Sequence, residues 1–357
     1  MTILVKKMLP NKFIGQIKEY RYSSEKEIKL DLIDRKILYL IEINARFSPT
    51  AISKILLISR ETISYRIKKM EELNLLHGYV TLFDHKKLGF NNYRIYLKFK
   101  NIFNDKEIIE ELFKLSEITT IVTCSGSYDL QFVISVKTQD EFLKTFDSII
   151  GKYSQSIERF KVLEIFQEGI VSRWMILCED EAKKIRVIKE HKGSTFQKEF
   201  HRASSYSTPI SLDEKDRKIL EILKLDAKAS ISALSNKLSL SPLSIENRIK
   251  KMILAGIIKS FFPQSSLTQL GYQWWHVLLK MKNLDEKKFF TFIEHHPNTS
   301  WYMKFLGEWD YQCSIYAKTN ADFHDILEQI RHEFADNIMY YDSFIMFNQL
   351  KYSQRVL

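Results

Sequence analysis

Residues 59–70, SRETISYRIKKM, read as one helix with a cap, an apolar side and a basic side. Ser59 suits the N-cap, because its hydroxyl accepts a hydrogen bond from an orphan backbone N–H of the first turn. Ile63, Ile67 and Met70 fall at i, i+4 and i+7 and so share one helical face. Glu61, Tyr65, Lys68 and Lys69 lie roughly opposite, with Arg60, Ser64 and Arg66 on the flanks. A helix that buries one side and shows Arg, Lys, Ser and Tyr on the other suits a nucleic-acid groove. A solvated amphipathic helix carries the same signature.

A second copy favours the first reading. A shift of 182 residues carries Ser59 to Ser241, and residues 241–252 read SPLSIENRIKKM. Ile245, Ile249 and Met252 repeat the buried stripe, and Arg66-Ile-Lys-Lys-Met70 returns unchanged as Arg248-Ile-Lys-Lys-Met252. Pro242 takes the first helical position, where its missing N–H costs nothing. The register holds from Leu30 to Phe90: Leu212, Asp213, Asp216, Ile219 and Leu220 repeat Leu30, Asp31, Asp34, Ile37 and Leu38, and Leu270-Gly271 repeats Leu88-Gly89. One offset kept over that distance is the mark of internal duplication.

Around each basic helix the pattern is the same. A capped apolar helix starts near Asp31, a short helix follows from Pro49, and a tight turn leads into residues 59–70. Three helices with a short turn before the basic third make a helix-turn-helix arrangement. LLHGYVTLFD then reads as two short strands around Gly78, a wing. Each head is followed by elements in the order β-α-β-β-α-β, a ferredoxin-like sandwich. The first runs from YRIYLKFK at 93–100 to ERFKVLEIFQEGIV, the second from WWHVLLKMK to NIMYYDSFIMF. Gly126-Ser-Tyr-Asp129 in one matches Gly307-Glu-Trp-Asp310 in the other.

The fold class expected is therefore α+β, two tandem units of a winged helix-turn-helix and a ferredoxin-like βαββαβ domain. The divisions fall at 1–27 for a basic N-terminal extension, 28–90 and 91–176 for the first unit, 177–210 for a linker, and 211–272 and 273–357 for the second. The chain of 357 residues has a formal charge of +10 and a pI near 9.2, which favours a polyanionic partner modestly. Cys124, Cys178 and Cys313 show no metal-binding spacing and read as reduced, mostly buried thiols of a cytoplasmic protein. There is no cleavable signal and no apolar run long enough to span a bilayer. No phosphate-binding loop, zinc motif or nucleophile elbow is present.

A helix-turn-helix head, a wing and a βαββαβ body with G-x-[YW]-D before its third strand resemble the Lrp/AsnC, or feast-or-famine, family of transcription regulators. The matching residues are Leu30-Asp-x-x-Asp34-x-x-Ile37-Leu38, Arg66-Ile-Lys-Lys-Met70, Leu88-Gly89 and Gly126-x-Tyr-Asp129, with their second copies. The resemblance implies double-stranded DNA as partner, pairing through the sheet domains, and a small-molecule effector such as an amino acid at the interface between them. It implies no cofactor, no catalytic activity and no membrane. On that reading Ser59, Arg60, Thr62, Ser64, Tyr65, Arg66, Lys68 and Lys69 face DNA in the first head. Ser241, Leu243, Ser244, Asn247, Arg248, Lys250 and Lys251 do so in the second. Gly126, Asp129, Gly307 and Asp310 are the effector-site candidates, with turn residues as the competing reading.

This chain departs from the family in carrying two units in one. Either the sheets pair within the chain, giving a pseudo-dimer, or between two chains, giving a homodimer. The helix tips differ, Arg60-Glu61 against Pro242-Leu243 and Ser64-Tyr65 against Glu246-Asn247, so intrachain pairing implies unlike half-sites. Asn247 suits adenine, Arg60 guanine, Leu243 a thymine methyl, and the lysines phosphates. Arg66 and Arg248 border the buried stripe, so a pair with a helix-one carboxylate competes with a DNA contact. Glu246 leaves a structural role open for the second head. Fused pairs of this architecture also resemble the siroheme decarboxylases, for which His276, His295, His296, Tyr302 and Lys304 are the tetrapyrrole-site candidates. An architectural DNA-binding protein is a third reading. Trp274, Trp275, Trp301 and Trp309 read as core and interface.

Overall fold

The computed structural model describes residues 27–100, 105–171, 174–177, 180, 181, 184 and 211–356. The basic extension, but for Glu27, and most of the linker, with Cys178, lie outside the described residues.

Each head opens on a carboxylate cap. Asp31 accepts from the N–H of Asp34 at 2.8 Å, Asp34 answers the N–H of Asp31, and α1 (Leu32–Ile43) follows. Ser48 caps α2 (Pro49–Leu56), and Ser59 caps α3 (Arg60–Glu72). The turn between α2 and α3 passes through Leu57 in the left-handed region at φ 58°, and Ser53 Oγ donates to Ile58 O at 2.6 Å to close it. Helices α6 (Glu214–Leu225), α7 (Ile231–Leu238) and α8 (Pro242–Leu254) repeat these devices with Asp213, Ser230, Ser241 and Ser239. Ile63, Ile67 and Met70 are buried, as are Ile245, Ile249 and Met252, so the period read from the sequence is the packing face.

The wing differs from expectation. Residues 76–83 form a single strand, β1 (Leu76–Phe83), and not a hairpin around Gly78. Gly78 does not take the positive φ that a tight hairpin asks of it. Strand β1 pairs antiparallel with β6 (Ile258–Ser265) of the other head, Val80 opposite Phe262 and Phe83 opposite Ile258. Phe83 is buried in the core of the second head among Ile219, Leu220 and Ile249, while Leu267 and Leu270 pack into the first. Each wing thus completes its neighbour's core, because a lone strand leaves both an edge and an apolar face open.

The bodies follow the expected order. The first comprises β2 (Asn91–Phe99), α4 (Asp105–Lys114), β3 (Ile118–Ser125), β4 (Leu130–Val136), α5 (Gln139–Tyr153) and β5 (Ile157–Ile170). The second comprises β7 (Gln273–Met281), α9 (Glu286–His295), β8 (Thr299–Leu306), β9 (Tyr311–Ala317), α10 (Asn320–Glu333) and β10 (Ile338–Tyr352). The two sheets join edge to edge at β5–β8 and β10–β3, closing a barrel of order β10-β3-β4-β2-β5-β8-β9-β7. Closure leaves the barrel no open edge and joins the sheets of the two halves within one chain.

Strand alternation then sorts side chains to the two faces. Along β2, Tyr93, Ile95 and Leu97 meet Ile108 and Leu112 of α4 and Ile149 of α5 on the outside. Arg94 and Tyr96 point inward, where Tyr96 joins Leu278, Phe305 and Phe344 from the other half. Trp309 belongs to that interface core and Trp275 stacks on Phe323 at 4.2 Å, as expected of core residues. Cys124 and Cys313 are buried and unpaired, and burial raises both thiols, that of Cys313 to about 12.

Candidate nucleic-acid interface

The heads are held against one another by reciprocal contacts. The Ala45 N–H donates to Phe261 O at 2.9 Å and the Ala227 N–H to Tyr79 O at 3.2 Å. These pairs are related by the 182-residue shift, so a local twofold relates the heads, and α3 and α8 occupy equivalent places about it. Arg46 Nη1 donates to Ala227 O at 2.7 Å, and Lys228 lies 3.9 Å over the Tyr79 ring. Tyr79 in turn donates to Glu71 Oε1 at 2.6 Å, tying the end of α3 to the shared wings. Burial and the Glu71 carboxylate both raise the Tyr79 phenol, which therefore remains a donor at neutral pH.

Tyr65 is 68% exposed and Leu243 is 66% exposed. Arg60, Ser64, Lys68 and Lys69 are exposed on α3, as are Asn247, Lys250 and Lys251 on α8. The Lys68–Glu72 pair at 3.6 Å is solvent-bathed and too weak to withhold the ammonium from a phosphate. Thr62 and Ser244 are half-buried, and their N–H groups donate to the capping hydroxyls Ser59 Oγ and Ser241 Oγ at 3.1 and 3.2 Å. Ser59 Oγ also lies 2.9 Å from Thr62 Oγ1.

Two of the DNA-facing candidates are otherwise engaged. Arg66 Nη1 lies 2.7 Å from both Asp31 and Asp34, and Arg248 Nη1 lies 2.7 Å from both Asp213 and Asp216. The guanidinium locks the capping box of the first helix onto the third, so these arginines belong to the head's frame. The Asp34 N–H and then Arg66 hold the Asp31 carboxyl below its ordinary value.

The effector-site candidates hold structural positions. Asp129 accepts from the Phe99 N–H at 2.9 Å and from Lys98 at 2.8 Å; Asp310 accepts from the Met281 N–H and from Lys280, both at 2.8 Å. Both carboxylates pin the turn between two strands. Gly126 at φ 122° and Gly307 at φ 147° sit against the opposite half, where a Cβ would meet Phe344 Cβ at 3.1 Å and Leu163 Cδ2 at 2.8 Å.

A cavity of about 130 Å³ that the sequence did not suggest lies between the barrel and the wing strand β6. Arg94, Gln131, His276 and Gln312 line its floor, while Phe262, Gln264 and Ser265 of wing strand β6 form its roof. Arg94 Nη1 donates to Gln312 Oε1 at 3.0 Å and to Gln131 Oε1 at 3.4 Å, and Tyr96 donates to Gln312 Oε1 at 2.6 Å. At the cavity's edge His85 Nε2 lies 3.7 Å from Glu168. Burial pushes His85 down to about 4, so the imidazole is neutral, and burial raises the Glu168 carboxyl against the pull of Lys259 and Arg94. The one sequence signal was a charged residue at an inward position of an alternating strand.

Of the tetrapyrrole-site candidates only His276 lines this cavity. His295 meets Thr291 O at the end of α9, His296 lies 3.3 Å from Gln329, Tyr302 donates to Glu294, and Lys304 pairs with Glu286. Trp274 and Trp301 pack against the interface core and also border the cavity. Among the described residues no group of His, Cys, Asp or Glu side chains is placed to hold a metal ion, and no helix is long and apolar enough to cross a membrane.

The AsnC-type helix-turn-helix domain model matches the chain twice, at 30–71 and 212–253. The HTH-type transcriptional regulator LrpC of Bacillus subtilis is 28% identical over 121 residues, 34% of this chain and 84% of that protein. The transcriptional regulator AzlB of the same organism is 31% identical over 122 residues, 33% of this chain and 78% of that protein. Among solved structures, the siroheme decarboxylase NirDL superposes with a TM-score of 0.56 at 12% identity, over 90% of this chain and 93% of that one. At that identity the shared feature is the duplicated fold.

Proposed function

Because the chain belongs to the Lrp/AsnC family of DNA-binding transcription regulators, we propose that it acts as a single-chain pseudo-dimer whose unlike heads read unlike half-sites. The reading rests on one observation above the others: β1 and β6 pair within the chain, which fixes α3 and α8 as a set. A symmetric dimer presents two identical helices to a palindrome. Here Arg60 and Tyr65 stand where the other head presents Pro242 and Asn247.

In this reading Lys68, Lys69, Lys250 and Lys251 neutralise phosphates. Arg60, Ser64 and Tyr65 meet base edges or sugars in one half-site, and Leu243 and Asn247 in the other. Asn247 suits an adenine edge, and Leu243 a thymine methyl. The protein is a regulator and not an enzyme, works in the cytoplasm where its DNA lies, and takes a small-molecule effector in its paired sheet domains. Domain divisions near residues 90 and 272 are supported by strands that begin at Asn91 and Gln273.

A gel shift on the DNA upstream of the chain's own coding sequence tests the reading, titrated with salt. The expected result is a discrete complex that weakens steeply as salt rises, with no change in the Soret band of an added iron porphyrin. A Soret shift without DNA binding would overturn it in favour of the tetrapyrrole enzyme.

A further inference from the structure

The barrel cavity is the part of the molecule that DNA contact leaves unused. Arg94 is 5% exposed, and both acceptors of its Nη1 are neutral amide oxygens. Its Nε has no hydrogen-bond partner among the described residues, nor have Nδ1 of His276 or Oδ1 of Asn92, which line the same space. His276 and Asn92 are themselves more than nine-tenths buried. A buried guanidinium without a bonded anion is costly, as is each unsatisfied polar atom around it. Glu168 faces the cavity too, but among the described residues no hydrogen bond joins it to Arg94, and burial raises its carboxyl against the pull of Lys259 and Arg94.

Duplication explains why one cation can stand there. The shift that relates the halves places His276 opposite Arg94, while Gln131 and Gln312 correspond. A symmetric dimer with arginine at this position would set two guanidinium groups about one axis. The fused chain sets one guanidinium against an imidazole that burial and Arg94 both hold neutral. The rest of the wall is largely apolar, with Val133, Ile165, Phe262 and Met303 among it. The volume of about 130 Å³ admits on the order of ten water-sized positions, or one small organic acid.

We propose that this cavity binds a small monocarboxylate with an apolar body, its carboxylate on Arg94, and that the wing strand above it senses occupancy. Phe262, Gln264 and Ser265 belong to β6, which pairs with β1 and so bears on both heads. A ligand wedged between barrel and wings shifts the set of α3 and α8 by its differential contacts with the two arrangements. The coupling rests on the regulator reading; the binding does not.

The test is calorimetric titration of the full chain with acetate, hexanoate, benzoate and indole-3-acetate, and with benzamide as the uncharged counterpart of benzoate. At least one carboxylate is expected to bind, and benzoate to bind better than benzamide. Arg94→Gln should weaken the best carboxylate by about 10- to 100-fold, while Arg94→Lys keeps the preference for charge at lower affinity. Thermal melting in parallel confirms that both variants fold. No binding by any of the four acids, equal binding of benzoate and benzamide, or unchanged binding by a folded Arg94→Gln overturns the site. Gel shifts with the best acid then read the coupling: altered DNA affinity in wild type and not in Arg94→Gln supports it, and carboxylate binding with unaltered DNA affinity overturns it. A chain that binds the acid but no DNA refutes the regulator reading and leaves the site standing.

Discussion

Arg66 Nη1 lies 2.7 Å from Asp34 Oδ1, and the same contact recurs at 2.7 Å between Arg248 and Asp216. The guanidinium therefore braces the first helix against the third. Arg66→Gln should lower thermal stability by about 1 kcal/mol while leaving base preference in a selection experiment unchanged. The pH dependence follows in sign. Asp31 is held below its ordinary 3.8, first by the Asp34 N–H and then by Arg66. A carboxyl depressed on folding contributes stability above its unfolded pKa and loses it as pH falls through the folded one. Melting followed by circular dichroism should thus show the head weakening below about pH 4, with a shallower decline in Arg66→Gln.

The lysines at the ends of α3 and α8 carry the opposite expectation. Lys68→Ala with Lys69→Ala, or Lys250→Ala with Lys251→Ala, should leave melting nearly unchanged and weaken binding to all duplexes alike. Each pair should reduce the slope of log affinity against log salt by about 2. Fluorescence anisotropy across a salt series reads this directly. An unchanged slope for the second pair would mean that the second head stands off the DNA.

Asn247 and Tyr65 should separate the half-sites. Asn247→Ala is expected to cost about 1–3 kcal/mol on the preferred site and to relax base preference in one half only. Tyr65→Ala should act on the other half. Competition binding with singly substituted duplexes distinguishes the two.

Gly307 tests the closed barrel. At φ 147°, a backbone conformation that side chains rarely adopt, a Cβ would also lie 2.8 Å from Leu163 Cδ2 and force it to shift. Gly307→Ala should destabilise by about 1–3 kcal/mol through the seam between β5 and β8. Gly126→Ala, 3.1 Å from Phe344 Cβ, should act similarly at the β10–β3 seam. Denaturant melts measure both.

Much of this was legible in the residues. The stripe of Ile63, Ile67 and Met70, the caps at Asp31 and Ser59, and the repeat at 182 residues yield the heads and the duplication, because helical period and capping are local physics. The alternation of Tyr93, Arg94, Ile95 and Tyr96 yields β2. What pairs with what was not legible. The strand of residues 76–83 looks the same whether its partner follows in sequence or comes from 182 residues away, so the wing was misread as a hairpin. The cavity was missed for a related reason. Arg94, His276 and Gln312 lie on strands of different halves, and only barrel closure brings them together. Arg66 was left between a DNA contact and a helix-one carboxylate; its pairing with Asp31 and Asp34 is set by how the first helix packs.

Binding-site selection from random duplexes, with the mass of the complex measured on the selected site, addresses the claim that one chain carries two unlike readers. A site with two dissimilar halves occupied by a single chain is expected. Recovery of a perfect palindrome, with one chain bound across it, would show that the two heads read alike.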